Sequence, residues 1–215
     1  MTQTFTQEHR AKLEQYLATH DLPEGLGDEE SACSIAAINL ALSGTLTDDI
    51  PDCMSDVLGK ATIRLQDAMP EGMRNSERYK SLLPEMAGTG REHEQERLDI
   101  LKDWMWSVVL PQLQPIAESK GFGYAWKNMC QLKTAASAYA AAADAADAYA
   151  YAASAAAYAA SVAARASDAA DDAADDAADA ADAAADAADY AARAAGGDFW
   201  ETVDPIGVLE RMTLH

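Results

Sequence analysis

Basic residues are scarce in this chain, with 16 Lys and Arg against 36 Asp and Glu in 215 residues, a formal net charge of −20. A field of that sign repels phosphate backbones and anionic headgroups. Direct binding to nucleic acid or to a membrane surface is therefore excluded, and a basic protein partner is favoured. Cysteine is scarce too: Cys33, Cys53 and Cys130 are far apart and set in apolar helical patterns. An odd, scattered set is no disulfide framework and fits reduced, buried thiols. The four histidines include no two at ligand spacing, and there is no CxxC, so neither a metal nor another cofactor is expected. Residues 1–17 hold no apolar run of signal-peptide length, which points to a cytoplasmic protein.

Glycine and proline are absent from the 72 residues between Gly123 and Gly196. Alanine fills most of that stretch and is the strongest helix former. At alternating intervals of three and four residues the alanines give way to Asp144, Asp147, Tyr151, Ser154, Tyr158, Ser161, Arg165, Asp168, Asp172, Asp175, Asp179, Asp182, Asp186, Asp189 and Arg193. On a helix that spacing draws one line along one face. Each aspartate at the centre of a bilayer would cost about 3 kcal/mol, which alanine does not offset, so the tract is not a membrane span.

The charge follows the same division. Residues 1–133 carry 13 Lys/Arg and 21 Asp/Glu, a net of −8, and residues 134–215 carry 3 and 15, a net of −12. Three parts are expected: an all-α globular domain over 1–132, an Ala/Asp-rich helical rod over 133–195, and an apolar docking segment over 196–215. In the first part, apolar residues at helical spacing, bounded by caps and breakers, predict helices over 6–19, 31–43, 52–69, 75–86 and 91–110. A further helix is expected from Pro111 to Gly121, and no segment alternates as a strand does. Leu98, Leu101, Trp104, Met105 and Val108 mark 91–110 as the central core helix. One uninterrupted helix over 133–195 would reach about 95 Å. The unbroken phase of the stripe favours one rod and compactness favours a hairpin, with pairing to a second copy as a further option.

Two surfaces are candidates for function. The first is the run Asp168, Asp172, Asp175, Asp179, Asp182, Asp186 and Asp189, bracketed by Arg165 and Arg193 and thickened by Asp171 and Asp176. It spans about 31.5 Å on a helix, close to one turn of B-DNA at roughly 34 Å, and could occupy a basic groove as a nucleic-acid mimic. The plain alternative is a solvated face, which any alanine helix needs. The second is Gly88, Thr89, Gly90 and Arg91, with His93 close behind. A glycine-rich turn before a helix presents N–H groups that can hold an anion, here a nucleotide-like ligand, although no GxxxxGK[ST] pattern is present. No constellation of nucleophile and base is found, so no enzyme activity is expected. A helical scaffold that sets the distance between partners is the third reading.

The runs YAASAAAYAAS and DAADDAADAADAAADAADYAARAA resemble the alanine-rich helical region of proteins described as immunity proteins. The segment CSIAAINLALSGTLTDDIPDCMSDVLGKATIRLQDAMP, with MRNSERYKSLLP, AGTGREHEQERLDILKDWMW and VLPQLQPIAESKGFG, is similar to the N-terminal part of the same group, carried by bacteriophages and bacteria. The resemblance implies an all-α protein that neutralises an antagonist, either a toxin or a host defence component. It brings no catalytic residues with it.

Overall fold

The computed structural model describes residues 4–28, 30–169 and 174–215, and their side chains except those of 165–169 and 174–176. The fold is all-α, and among the described residues β pairing amounts to one isolated bridge between Gly27 and Ala32. Helix α1 (Gln7–Leu17) starts in a reciprocal cap between Thr6 and His9, and α2 (Ser34–Ser43) stops at Gly44, whose φ of 72° is left-handed. Helix α3 (Asp56–Ala68) begins four residues later than its apolar pattern predicts, because the Ser55 side chain caps it by accepting from the Leu58 N–H. Helices α4 (Glu71–Arg74) and α5 (Glu77–Met86) follow, and α5 carries Pro84 inside its last turn.

Helix α6 (Glu94–Trp104) does not end where proline predicts. The chain keeps turning, first wide over Met105–Val109, with the Leu110 N–H donating to the Met105 carbonyl, then tight over Leu110–Leu113, before α7 (Gln114–Lys120). Pro111 lacks the N–H that an α-turn would direct at Ser107, and a change of pitch accommodates that loss without a break. Gly121, at φ 90°, ends the run, and α8 (Gly123–Leu132) follows.

The alanine tract is neither a rod nor a simple hairpin. It forms α9 (Ala135–Asp147), α10 (Tyr151–Ala169) and α11 (Ala174–Ala195), with α10 packed between α9 and α11. The break between α9 and α10 lies at Tyr149, at a left-handed φ of 54°. The Tyr149 N–H donates to the Ala146 carbonyl and the Ala150 N–H to the Ala145 carbonyl, at 2.9 and 2.8 Å. These are the two bonds of a Schellman turn, normally built on glycine. A left-handed non-glycine residue costs about 1–2 kcal/mol, and the two capped carbonyls and the packed helix pair offset it.

Helix α11, rather than α6, holds the middle of the molecule. It lies against α10, α3, α6 and the pitch-change segment, and Ala180, Ala181, Ala184, Ala185, Ala187, Ala188 and Ala191 are fully buried. Methyl side chains let backbones approach closely, so these neighbours fit round one helix. The C-terminal helices α12 (Phe199–Val203) and α13 (Pro205–Thr213) dock as the apolar residues predict, with Phe199, Trp200, Ile206, Val208, Leu209 and Met212 buried. One apolar cluster runs from Leu13 to Met212 through all three parts of the chain.

Candidate functional site

The stripe follows the solvent edge of α11 and is only partly open. Arg64 of α3 meets it from one side: its Nε and Nη2 donate to the two carboxylate oxygens of Asp182 at 2.7 and 3.0 Å. The same guanidinium stands 3.6 Å from Asp186. At the C-terminal end Arg193 donates to both oxygens of Asp189, at 3.1 and 2.7 Å, and its guanidinium lies 5.6 Å from the Tyr190 ring centre. Burial pushes the Asp186 carboxyl above its ordinary range, Arg64 works against that, and the neighbouring Asp182 and Asp189 add to it. Hydrogen bonds to Asp182 hold the Arg64 guanidinium above its ordinary pKa. Asp179 is exposed. The side chains of Arg165, Asp168, Asp172 and Asp175 lie outside the described ones, so the seven-carboxylate line is described only from Asp179 onward. In that part the carboxylates are neither a free rod nor buried structure.

On its other side the stripe borders a groove. Ala155, Tyr158, Ala159 and Val162 of α10 face Asp179, Asp182, Asp186 and Tyr190 of α11 across a space of about 430 Å³. Tyr158 and Ala155 also line a second groove of about 410 Å³, between α9 and α10, with Tyr139, Tyr151 and an alanine floor. Tyr139, Tyr151 and Tyr158 are 61%, 67% and 52% exposed, so three large rings stand in water over a bed of methyl groups. Below them the Ser154 hydroxyl donates to the Ala142 carbonyl at 2.7 Å and pins α10 to α9. In sequence terms Tyr151, Ser154 and Tyr158 belong to the stripe, and packing or hydrogen bonding is their expected use. Ser154 is used in that way; Tyr151 and Tyr158 form the exposed surface. The hairpin turns Tyr139 into line with them, a placement that the sequence could not reveal without the break at Tyr149.

The glycine-rich loop is tied into the fold. The Gly90 N–H donates to the Cys53 carbonyl, and Thr89 Oγ1 accepts from the Ser55 N–H and donates to the Met86 carbonyl. Arg91 pairs with Asp56 at 3.0 Å, His93 stands 3.5 Å from Glu96, and Gly88 is exposed. The carbonyls of Thr89 and Gly90 accept from Arg97, a guanidinium with no exposed surface that also donates to the Met212 carbonyl. Beside it Glu94 caps α3, accepting from Ser55 Oγ and from the Asp56 and Val57 N–H groups at 2.9–3.1 Å. A first-turn carboxylate normally serves its own helix, whereas Glu94 serves another one. These groups knit α3, α6 and α13 together, and the N–H of Gly90 is directed at Cys53 rather than at an anion.

A cleft of about 580 Å³ between α1 and α5 has its cations engaged: Arg10 with Glu85 and the Pro84 carbonyl, Lys80 with the His20 carbonyl and Asp21. Among the described residues no group of three or more His, Cys, Asp or Glu could hold a metal ion, and no helix is long and apolar enough to cross a membrane. Comparison with protein-family models, curated proteins and solved structures finds no match to the chain.

Proposed function

We propose that this protein is a non-catalytic binder that neutralises a basic partner protein, and that it meets the partner with the outer face of α9, α10 and α11. One observation carries the reading: exposed Tyr139, Tyr151 and Tyr158 stand over alanine, and Tyr158 also borders the groove of Asp179, Asp182 and Asp186, in a chain of net charge −20. Tyrosine supplies large contact area at low cost in rotamer freedom and is enriched where proteins bind one another. The carboxylates add long-range attraction for a basic surface. The resemblance to phage and bacterial immunity proteins fits this reading, with a toxin or a host defence component as the antagonist. A nucleic-acid-binding groove is one basic surface of the required kind. The recognition surface in this proposal differs from a bare line of aspartates, because Asp182 and Asp189 already hold arginines of the chain itself.

The test is retention of bacterial proteins on the immobilised protein at low salt, followed by elution in a salt gradient. A basic protein released at moderate salt is expected, and it should be lost when Tyr139 and Tyr158 are changed to Ala and Asp179 to Asn. Retention unchanged by that triple substitution, or no protein held beyond an equally acidic control, would sink the proposal.

A further inference from the structure

We infer that the groove between α10 and α11 selects guanidinium groups, so that its occupant is an arginine-bearing amphipathic helix of the basic partner. The inference rests on the function proposed above and adds the chemistry that is read.

The chain's own arginines show how the stripe takes a cation. Arg64 forks onto both oxygens of Asp182, and Arg193 forks onto Asp189 with its plane near the Tyr190 ring. The fork geometry and the ring contact belong to the planar guanidinium and not to the compact, strongly hydrated ammonium. The α10–α11 groove is lined by the same kinds of group: exposed Asp179 and Tyr158, with Asp186, which Arg64 approaches to 3.6 Å from α3, and Tyr190, whose ring Arg193 approaches from the far end. Its floor of Ala155, Ala159 and Ala183 is apolar and shallow, which suits the leucine or methionine face of a helix.

Spacing supports a helical occupant. Asp179 and Asp186 are seven residues apart, about 10.5 Å along the axis, and a partner helix alongside presents arginines at i and i+7 with that same rise. A second copy of this chain is a poor occupant, because it would bring another charge of −20 to the same face.

Two fluorescent helical peptides of identical charge and identical leucine face, one with arginine and one with lysine at every cationic position, are titrated against the full-length protein and followed by anisotropy. The arginine peptide should bind about tenfold more tightly. Tyr158→Ala should weaken it about fivefold through loss of the cation–ring contact, while Tyr158→Phe, which keeps the ring, should not. Asp179→Asn should weaken both peptides and flatten their salt dependence. Tyr158 and Asp179 are exposed, and circular dichroism checks that their variants keep the fold. Equal affinity for the two peptides, still lost with Tyr158→Ala, overturns guanidinium selection and leaves the binding face standing. Arginine-peptide binding that ignores both Tyr158→Ala and Asp179→Asn overturns the groove as the site. Self-association abolished by Tyr158→Ala in sedimentation makes a second copy the occupant and overturns the inference. If neither peptide binds, the inference falls, and the salt-gradient experiment alone then decides the proposed function.

Discussion

Changing Arg97 to methionine tests whether the buried guanidinium at the junction of α3, α6 and α13 holds the fold together. Methionine keeps much of the stem volume, so the change removes charge and donors more than packing. Three carbonyls lose their partner: Thr89, Gly90 and Met212, at 3.2, 3.1 and 3.2 Å. Hydrogen bonds to a charged group contribute about 1.5–3 kcal/mol each, so a plain sum overshoots. The desolvation of the cation, which pulls Arg97 below its ordinary pKa, works in the opposite direction. Apolar replacement of buried ions is often neutral when both partners are replaced. Here the acceptors are main-chain carbonyls and cannot be replaced, and Glu94, at 3.9 Å, remains as a buried carboxylate. The loss should therefore win, at about 3–4 kcal/mol, or a fall in Tm of roughly 6–16 °C for a chain of this length. Urea unfolding followed by tryptophan fluorescence and by far-ultraviolet circular dichroism measures it. Hydrogen exchange should show residues 205–213 opening first, because one of the broken bonds is the anchor of α13. Arg97→Lys, with a single ammonium in place of the fork, should fall between the two. A loss under about 1 kcal/mol for the methionine variant would refute the argument that unpaired carbonyls outweigh the relief of desolvation.

Three further outcomes are expected. Gly59→Ala, which in an open helix would stabilise by about 1 kcal/mol, should instead destabilise by a similar amount: the new methyl would sit 2.7–2.8 Å from three atoms of Ile50, a stiff β-branched side chain. Stabilisation in the wild-type background would contradict this, and in an Ile50→Ala background the sign should reverse. Ser154→Ala should cost about 1 kcal/mol in urea unfolding by removing the bond to the Ala142 carbonyl; an unchanged midpoint would show that water replaces that bond freely. Asp186→Asn bears on pH. The folded carboxyl of Asp186 titrates above its unfolded value, so the native state holds its proton longer, and the group's contribution to stability is lost as pH rises from the unfolded pKa through the folded one. The asparagine variant should therefore gain on the wild type as pH rises from about 4, and a gap that shrinks over that range would contradict the burial argument.

Much of the N-terminal fold is legible because it is written locally. Leu13 and Leu17, Ile35 and Ile38, Leu98 and Leu101 stand at helical spacing and are all buried. Gly44 and Gly121 end helices with the left-handed backbone that glycine tolerates best. The turn at Tyr149 is not legible, since no local residue there demands it. Its two backbone bonds form because α10 gains by packing on α9, and that gain is tertiary. The same reason hid the candidate surface: Tyr139 joins Tyr151 and Tyr158 only after the chain reverses. Glu94 and Arg97 stand in the sequence as charges near the glycine-rich loop, but the Val57 N–H that Glu94 accepts from and the Met212 carbonyl that Arg97 donates to lie 37 and 115 residues away, on α3 and α13. The loop motif suggested an anion site from local geometry, and long-range bonds gave those groups another use.

Alanine explains why the aspartates matter beyond solubility. A helix face made of methyl groups looks nearly the same after sliding by one turn, so packing alone specifies the register of α9, α10 and α11 weakly. Directional contacts break that degeneracy. Ser154 meets one carbonyl on α9 and ties α10 to it, whereas Arg64, which donates to Asp182 through Nε and Nη2, would meet Asp179 or Asp186 after a slip of one turn, about 5.4 Å, and so fixes which face of α11 turns to α3 more than its register. Polar groups at a few positions are a known means of fixing register among otherwise interchangeable alignments. Asp182 and Asp189 thereby have a structural use within the chain, and Asp179, with the tyrosines beside it, is the part of the stripe most open to a partner.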